Sequence, residues 1–395
     1  MHCFRKVPGI GPRALKTGNA CLAILAHMAK HGHDLAAAEL IVIRSKTQYP
    51  TVRKSAAKAL AQIAKYRGNY IKDLEETCLP DFGLDVHGVS ETVIDGCRAR
   101  IEVTATCVTT SWFSPEGKEL KKAPAALRQG HKDMLDTLRS RQDSLADMLA
   151  AETQVLEASY LNQRIWRFGN WKTRYLQHPV RRGLIEGLIW VVELDDAQHA
   201  FTPQNGTLIN AAGDAMLEPP ADSTVTLWHA VTSTPEDRAQ WKARQSNPPL
   251  AQATRRVFDV QMLDPTTPDY TNHFAAHILY DKQFAAICQK MGWRYDYRPL
   301  GNKNATMASR MLSQWHLHAY LTLQPVAAPA AALGEVSICT DRVSFTDEQH
   351  APVALRDIPP ICFSEVLCEV DTLIAIASRA DDLSWDDPDR VQARP

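Results

Sequence analysis

Three polar residues near the carboxyl end of the chain are the strongest candidates for chemistry. Ser364 and Glu365 are adjacent, and Asp371 follows on the same predicted helix. One hypothesis is an enzyme whose otherwise unrecognised site is built around these three side chains. The preferred interpretation is structural, because an acidic residue in the first turn of a helix is favoured by the helix dipole and a serine can cap the helix end. We therefore expect capping at Ser364 and Glu365, with catalysis or ligand binding as the alternative.

Two histidine pairs have spacings that could bring imidazoles side by side. His273 and His277 lie four residues apart on a predicted helix. His316 and His318 alternate on a predicted strand, and His229 would be a third ligand if the strands pair. A zinc site needs three or four ligands, and the sequence does not identify a third ligand with certainty for either pair. We predict no metal site and no cofactor.

Nucleic-acid binding is a further alternative, and its signals are weak. Val7 to Leu15 resembles the hairpin of a helix-hairpin-helix element, but too few residues precede it to form the first helix. Basic pairs at Lys121-Lys122, Arg181-Arg182 and Arg255-Arg256 stand among scattered tryptophans, as in surfaces that bind single strands. Burial of tryptophan and exposure of arginine explain the same pattern. The formal net charge of -1 provides no overall attraction to nucleic acid or to an anionic membrane.

The helix that carries Ser364 and Glu365 is predicted from hydrophobic spacing. A rigid Pro359-Pro360 step opens it, and its apolar residues then recur three and four positions apart. These apolar residues are Phe363, Val366, Leu367, Val370, Leu373, Ile374 and Ala377.

Other elements follow from the same periodicities. We predict helices over Pro235–Ala243 and over Phe274–Met291, the second ending at Gly292. Alternating apolar residues predict a strand over Leu317–Gln324, and Glu335–Phe345 is typical of a hairpin or two short strands.

The order of these elements indicates an α+β protein behind a short helical segment. Residues 14–66 are predicted to be helical, and Pro50 with Val52, Ala56, Leu60 and Ile63 resembles the second half of a HEAT-type repeat. We predict a HEAT-like helical repeat stub over 1–70, an α+β domain with long amphipathic helices over 71–379, and an acidic flexible tail over 380–395. A solenoid usually needs three or more repeats, so we expect an internal start at Met1 or a fragment of a longer protein.

Composition indicates an ordinary globular protein in the cytoplasm. Apolar residues make up 45% of the chain and charged residues 23%. The nine cysteines form no Cys-x-x-Cys pair, so we expect reduced thiols in a cytosol. No apolar run approaches the length of a membrane span, and we predict no membrane partner.

A series of weak motifs resembles one family when the motifs are taken in order. They are Gly83-Leu84-Asp85 with Asp95-Gly96, Gly117 to Lys121 before Pro124, Leu156-Glu157-Ala158 before Arg164-Ile165-Trp166, His178-Pro179 before Leu188-Ile189-Trp190, Gly292-Trp293, and Pro359 to Asp371. The series resembles the C-terminal domain of unknown function (family 4132) of bacterial molybdate metabolism regulator-like proteins, which often carry a WGR module.

The chain departs from that family pattern at several points. Val155 stands where we expect an arginine, Cys368-Glu369 replaces an expected Arg-Asp, and no WGR module precedes the helical stub. The resemblance implies no established reaction, cofactor or catalytic set.

The leading functional hypothesis is therefore a cytoplasmic, non-catalytic interaction or regulatory module that docks on a protein partner. The sequence leaves it uncertain whether the chain is an enzyme, and we lean against one because no coherent catalytic set stands out. The alternatives are the enzyme built around Ser364, Glu365 and Asp371, and a nucleic-acid-binding accessory factor.

Overall fold

The structure, a computed structural model, describes residues 3, 6–7, 11–47, 49–68, 71–245, 248–262, 268–295, 307–326, 337–375 and 378–379. Two compact units divide the chain. The first unit consists of Met1–Asp147 and Asn170–Gly183, and the second of Met148–Gly169 and Leu184–Pro395. The sheets described below are antiparallel throughout, so the predicted α+β class is confirmed.

The first unit begins with a short strand pair and a group of helices. Its opening elements are β1 (Lys6–Val7), β2 (Gly11–Pro12), α1 (Leu15–Lys30), α2 (Asp34–Lys46), α3 (Pro50–Arg67) and α4 (Ile71–Thr77). Pro50 opens α3 as predicted, and the predicted stripe Val52, Ala56, Leu60 and Ile63 is buried. Apolar residues of α1, α2, α3 and α4 join in one cluster, which is the core of this region. Part of the predicted hairpin over 7–15 lies outside the described residues.

An antiparallel sheet and a long helix complete most of the first unit. The sheet pairs neighbouring strands in the order β3-β4-β5-β6. The elements are β3 (Val89–Ile94), β4 (Cys97–Val103), β5 (Val108–Phe113), β6 (Glu119–Leu120), α5 (Ala125–Gly130) and α6 (Lys132–Ala158). Leu135 and Leu138 of α6 are buried, whereas Met134 is exposed.

The second unit contains two larger antiparallel sheets with helices. Its first part contains β7 (Trp166–Arg167), α7 (Phe168–Trp171), a π-helical turn (Lys172–Leu176), α8 (Arg182–Glu186), β8 (Trp190–Leu194), β9 (Ala197–Gln204), β10 (Thr207–Ile209), β11 (Ala215–Met216), β12 (Thr224–Leu227) and α9 (Pro235–Arg244). The π-helical turn belongs to the first unit, and the boundary between the units also falls within α6, α7 and α8, after Asp147, Gly169 and Gly183 respectively. The strands pair in the order β11-β10-β9-β8-β12-β7, and Thr234 caps α9 by accepting a hydrogen bond from the Asp237 amide.

The second part of this unit is β13 (Tyr270–Thr271), β14 (His277–Tyr280), α10 (Asp281–Met291), β15 (Arg294–Tyr295), β16 (Met307–Leu312), β17 (Leu317–Val326), β18 (Ser337–Asp347), β19 (Pro352–Val353), α11 (Pro360–Ile374) and β20 (Ser378–Arg379). The strands pair in the order β15-β16-β17-β18-β14-β20, and β13 and β19 also pair with β18.

Helix α11 contributes the centre of the core of the second unit. Its predicted apolar stripe is buried from Phe363 to Ile374, and Ala377 lies outside the described residues. Phe363 packs against Phe345 of β18, with ring centroids 6.0 Å apart. The stripe therefore positions α11 against the sheet and fixes which residues its other face presents.

Two predicted elements differ from the structure. Residues Phe274–Tyr280 are not helical: His277–Tyr280 form β14, and only Asp281–Met291 form the helix, which Gly292 ends with a φ of +77° as predicted. Ser337–Asp347 is one continuous strand and not a hairpin, because β18 pairs with β17 along one edge and with β14 along the other. The predicted tail over 380–395 lies outside the described residues.

Candidate functional site

Ser364 and Glu365 lie in the body of α11 and not in its first turn. The helix starts at Pro360, and Pro359 at the N-cap offers no side-chain acceptor. The first turn contains no acidic residue. The capping interpretation is therefore wrong, because the helix starts at Pro360 and Ser364 is already its fifth residue.

Glu365 joins two side chains that are distant in the sequence. Its Oε1 lies 3.0 Å from His229 Nε2, and its Oε2 accepts a hydrogen bond from Arg255 Nη2 at 2.6 Å. His229 Nδ1 accepts the amide N–H of Val231 at 3.0 Å, so the imidazole proton is assigned to Nε2, which donates to Glu365. The side chains of His229 and Glu365 are only 1% and 4% exposed. Both carboxylate oxygens thus accept hydrogen bonds, one from buried His229 and the other from half-buried Arg255.

A second layer of hydrogen bonds holds His229 in place. The Tyr160 ring lies edge-on to the imidazole, with centroids 4.9 Å apart, and its hydroxyl donates to the carbonyl of Trp228 at 2.9 Å. Gln252 Nε2 donates to that carbonyl at 3.0 Å, and its Oε1 accepts the Ile189 amide at 2.7 Å. Burial raises the pKa of the Tyr160 hydroxyl, so this group remains a donor at neutral pH. The network connects α11 to the backbone of Trp228, which follows β12, and of Ile189, which precedes β8.

Glu365 and Arg255 of this network line a cleft in the second unit with a volume of about 560 Å³. Volumes of this size are typical of ligand-binding pockets. Side chains from the end of α6, the segment 248–262, α10, β16 and α11 line it. The lining residues are Gln154, Glu157, Ala158, Leu161, Arg255, Arg256, Lys290, Met291, Arg310, Glu365, Cys368, Glu369, Asp371 and Thr372.

The carboxylates of α11 in this cleft are each paired with an arginine. Arg255 binds Glu365, and Arg256 Nη1 lies 3.0 Å from Asp371 Oδ1. Burial alone would lower the pKa of Arg255, but the Glu365 carboxylate, with Cys368 and Glu157, raises it above the ordinary value. Arg255 therefore stays charged at physiological pH.

Glu369 is the most perturbed carboxyl group of the cleft. Its Oε2 accepts the indole N–H of Trp293 at 2.8 Å and lies 3.0 Å from Arg310 Nε. Burial raises the pKa of Glu369 to about 7, although Arg310 and Trp293 act in the opposite direction, and the charge of Glu365 adds to the rise. A carboxyl group that titrates near neutral pH can exchange protons with a ligand.

In the sequence, Glu369 stands out only as a departure from the family pattern. Its spacing from Glu365, four residues on one helix, was the available signal, because residues at i and i+4 share a helix face. Cys368 and Thr372 continue the same face and also line the cleft.

Ser364 does not reach the cleft. It is fully buried, and its Oγ accepts the amide N–H of Phe258 at 3.2 Å. The Cys368 thiol does line the cleft, but it donates to the carbonyl of Arg256 at 3.2 Å, and burial raises its pKa to about 11. Neither side chain has the exposed, deprotonated form that a nucleophile needs. Of the three sequence candidates, the structure brings Glu365 and Asp371 together in one site and leaves Ser364 in the core.

The histidines considered as metal ligands are dispersed. His229 belongs to the buried network, His277 is on β14, and His316 Nδ1 lies 2.8 Å from Glu348 Oε1. In the part of the chain that the structure describes, no group of three or more His, Cys, Asp or Glu side chains is arranged to hold a metal ion.

The comparisons with known proteins agree with part of the resemblance. Residues 117–293, less than half of the chain, match the model of the family described as Domain of unknown function (DUF4132). No curated protein and no solved structure matches the chain. Across the described ranges, none of the helices has the length and apolar character needed to cross a membrane.

Proposed function

We propose that this chain is a non-catalytic interaction or regulatory module, and that it binds a protein partner in the cleft along α11. The observation that carries the proposal is the internal pairing of the cleft charges around buried Glu365. A carboxylate that accepts both an arginine and a histidine is held rigidly and presents no free base to a substrate. Such a site supplies a fixed surface more readily than a reaction centre.

The rim of the cleft gives the surface its chemical character. The Arg256 and Asp371 side chains are 57% and 39% exposed, so both charges of this ion pair are accessible to a partner. Lys290 is exposed and has no ion-pair partner within the described ranges. Charges of both signs favour specificity and orientation over non-specific attraction. We infer a partner segment that carries complementary charges of both signs.

A charge swap tests this proposal without breaking the internal ion pair. In the double variant R256E/D371R the two residues still pair, but the charge pattern offered to a partner is reversed. We expect affinity capture from the native cells, quantified by mass spectrometry, to lose proteins that the wild type retains. Equal capture by wild type and swap variant would contradict the proposal.

The matched control is the swap E91R/R98E in the first unit. Arg98 and Glu91 are 3.5 Å apart and 43% and 42% exposed, and Arg98 lies over Phe113 at 4.9 Å as Arg256 lies over Phe258 at 4.7 Å. The control therefore makes the same chemical change at a site outside the cleft. It should capture the same proteins as the wild type.

An enzyme remains a second candidate, and the observation that favours it is Glu369. Its pKa of about 7 suits a general acid or base, and Arg255 and Arg310 line the same cleft. The candidate site of such an enzyme would contain Glu365 and Asp371 but not Ser364. The variant E369Q should then abolish turnover in a substrate screen while thermal stability is kept; no turnover by the wild type would remove this candidate.

We also propose a HEAT-like N-terminal stub, a regulator-like family and a cytoplasmic location. The three helices over 15–67 support a HEAT-like stub, and the match over 117–293 supports the resemblance to the family of unknown function. We propose a regulator-like, WGR-associated protein on that resemblance and a cytoplasmic location on composition. The nucleic-acid-binding alternative gains no support from the α11 cleft, because its cations face an equal number of carboxylates.

A further inference from the structure

A second pocket, in the first unit, has the opposite electrostatic character. It has a volume of about 400 Å³ and lies among β5, the turn after β6, α5 and α6. Four of its lining side chains are cationic, and none is a carboxylate. These cations are Lys121, Lys122, Arg128 and Arg139. The chain has a net charge of -1, so a pocket that gathers four positive charges and no negative one requires an explanation.

The cations are largely free to bind an anion. Lys121 and Lys122 are exposed, and within the described ranges neither has an ion-pair or hydrogen-bond partner. Arg128 donates through Nε and Nη2 to the carbonyl of Ala123, at 3.3 Å and 3.0 Å, which orients the guanidinium without neutralising it. Arg139 has only a loose contact with Asp136, 3.4 Å long and solvent-exposed.

The floor of the pocket is mainly apolar. Trp112, Leu135 and Leu138 line it and are nearly buried. Thr110 donates to Gln142 Oε1 at 3.0 Å, and Gln142 Nε2 donates to the carbonyl of Val108 at 3.3 Å, so the polar groups of the floor are satisfied within the protein. An apolar floor beneath a cationic rim suits a ligand with a ring at one end and negative charge at the other.

We propose that this pocket binds a small phosphorylated ligand of the nucleotide class, with its phosphates against Lys121, Lys122 and Arg128 and its ring on the Trp112–Leu138 floor. Two adjacent lysines and an oriented guanidinium match the multiple oxygens of a di- or triphosphate. The cations meet in one concave pocket and do not extend as a stripe, which favours a compact ligand over a nucleic-acid strand. This site is separate from the α11 cleft and does not depend on the function proposed for it.

The test is isothermal titration calorimetry of the full chain at low salt with pyrophosphate, ADP, ATP and a short oligothymidylate. The variant K121Q/K122Q removes two cations of the pocket. The control K54Q/K58Q removes two exposed lysines of α3 in the same unit. We expect ADP or ATP to bind the wild type and the control equally. The affinity of the pocket variant for ADP or ATP should be lower by at least about tenfold, the factor that corresponds to about 1.4 kcal/mol.

Several results would overturn the proposal. They are no binding of any phosphate compound, equal weakening by both variants, and binding of the oligothymidylate without binding of ADP or ATP. The last result would assign the pocket to nucleic acid. Because both replaced lysines are exposed and unpaired, thermal denaturation should show that K121Q/K122Q folds as the wild type does.

Discussion

The variant E365Q is expected to destabilise the region around α11 by about 3 kcal/mol. Glu365 and His229 are buried and Arg255 is 18% exposed, and breaking a buried pair costs about 3–5 kcal/mol because one charge is left uncompensated; the lower end of that range applies to a pair with one half-buried partner. Glutamine has one acceptor, so it can serve His229 or Arg255 but not both. By contrast, D371N removes an exposed pair with Arg256 and should cost only about 0–1 kcal/mol.

Hydrogen–deuterium exchange measures this difference locally. A chain with two compact units is not expected to unfold in a single step, so a global melting temperature would mix both units. Amides of peptides within Pro360–Ile374 should lose protection by about a hundredfold in E365Q and by less than about fivefold in D371N. Equal, small losses in the two variants would refute the reasoning, because they would mean that the Glu365 network does not hold α11.

Three further predictions concern the surroundings of the cleft. The pKa of Glu369 is raised from 4.5 to about 7, so the stability that it contributes is complete below pH 4.5 and is lost as the pH rises through about 7. Up to about 3 kcal/mol should disappear between pH 4.5 and pH 8 in the wild type and not in E369Q, as measured by hydrogen–deuterium exchange of α11 amides corrected for the intrinsic pH dependence of exchange. At neutral pH the Cys368 thiol, whose pKa is about 11, should react with a thiol reagent far more slowly than exposed Cys21, as quantified by mass spectrometry. The variant G292A should destabilise α10 by about 1 kcal/mol, because φ is +77° there and a Cβ would meet Arg310 Nη1 at 2.6 Å. Hydrogen–deuterium exchange of α10 amides measures this loss, and no change would contradict the left-handed C-terminal cap.

Local signals predicted the elements well where one periodicity dominated. The stripe of α11, the start of α3 at Pro50 and the strand β17 follow from spacing alone, because burial of one face imposes that spacing. Spacing failed at His277–Tyr280, where a short apolar run precedes a true helix and the pairing with β18 decides for a strand.

The candidate site was only partly predictable, for a physical reason. Glu365 and Asp371 were recognised because they stand on an apolar helix, but the partners that define their environment are remote. His229 is 136 residues and Arg255 is 110 residues away from Glu365 in the sequence. Only tertiary packing brings them together, and the same packing shields Glu369 and raises its pKa.

Site-specific photo-crosslinking tests the central claim, that the α11 cleft binds a protein partner, most directly. A photoreactive residue is placed at Thr372, which is exposed and lines the cleft, or at exposed Thr137 on α6 as the control. In the native cells, the account predicts discrete protein adducts from Thr372 that are absent from Thr137 and disappear in the R256E/D371R background. Adducts that are identical at both positions, or no adduct at Thr372, would contradict it.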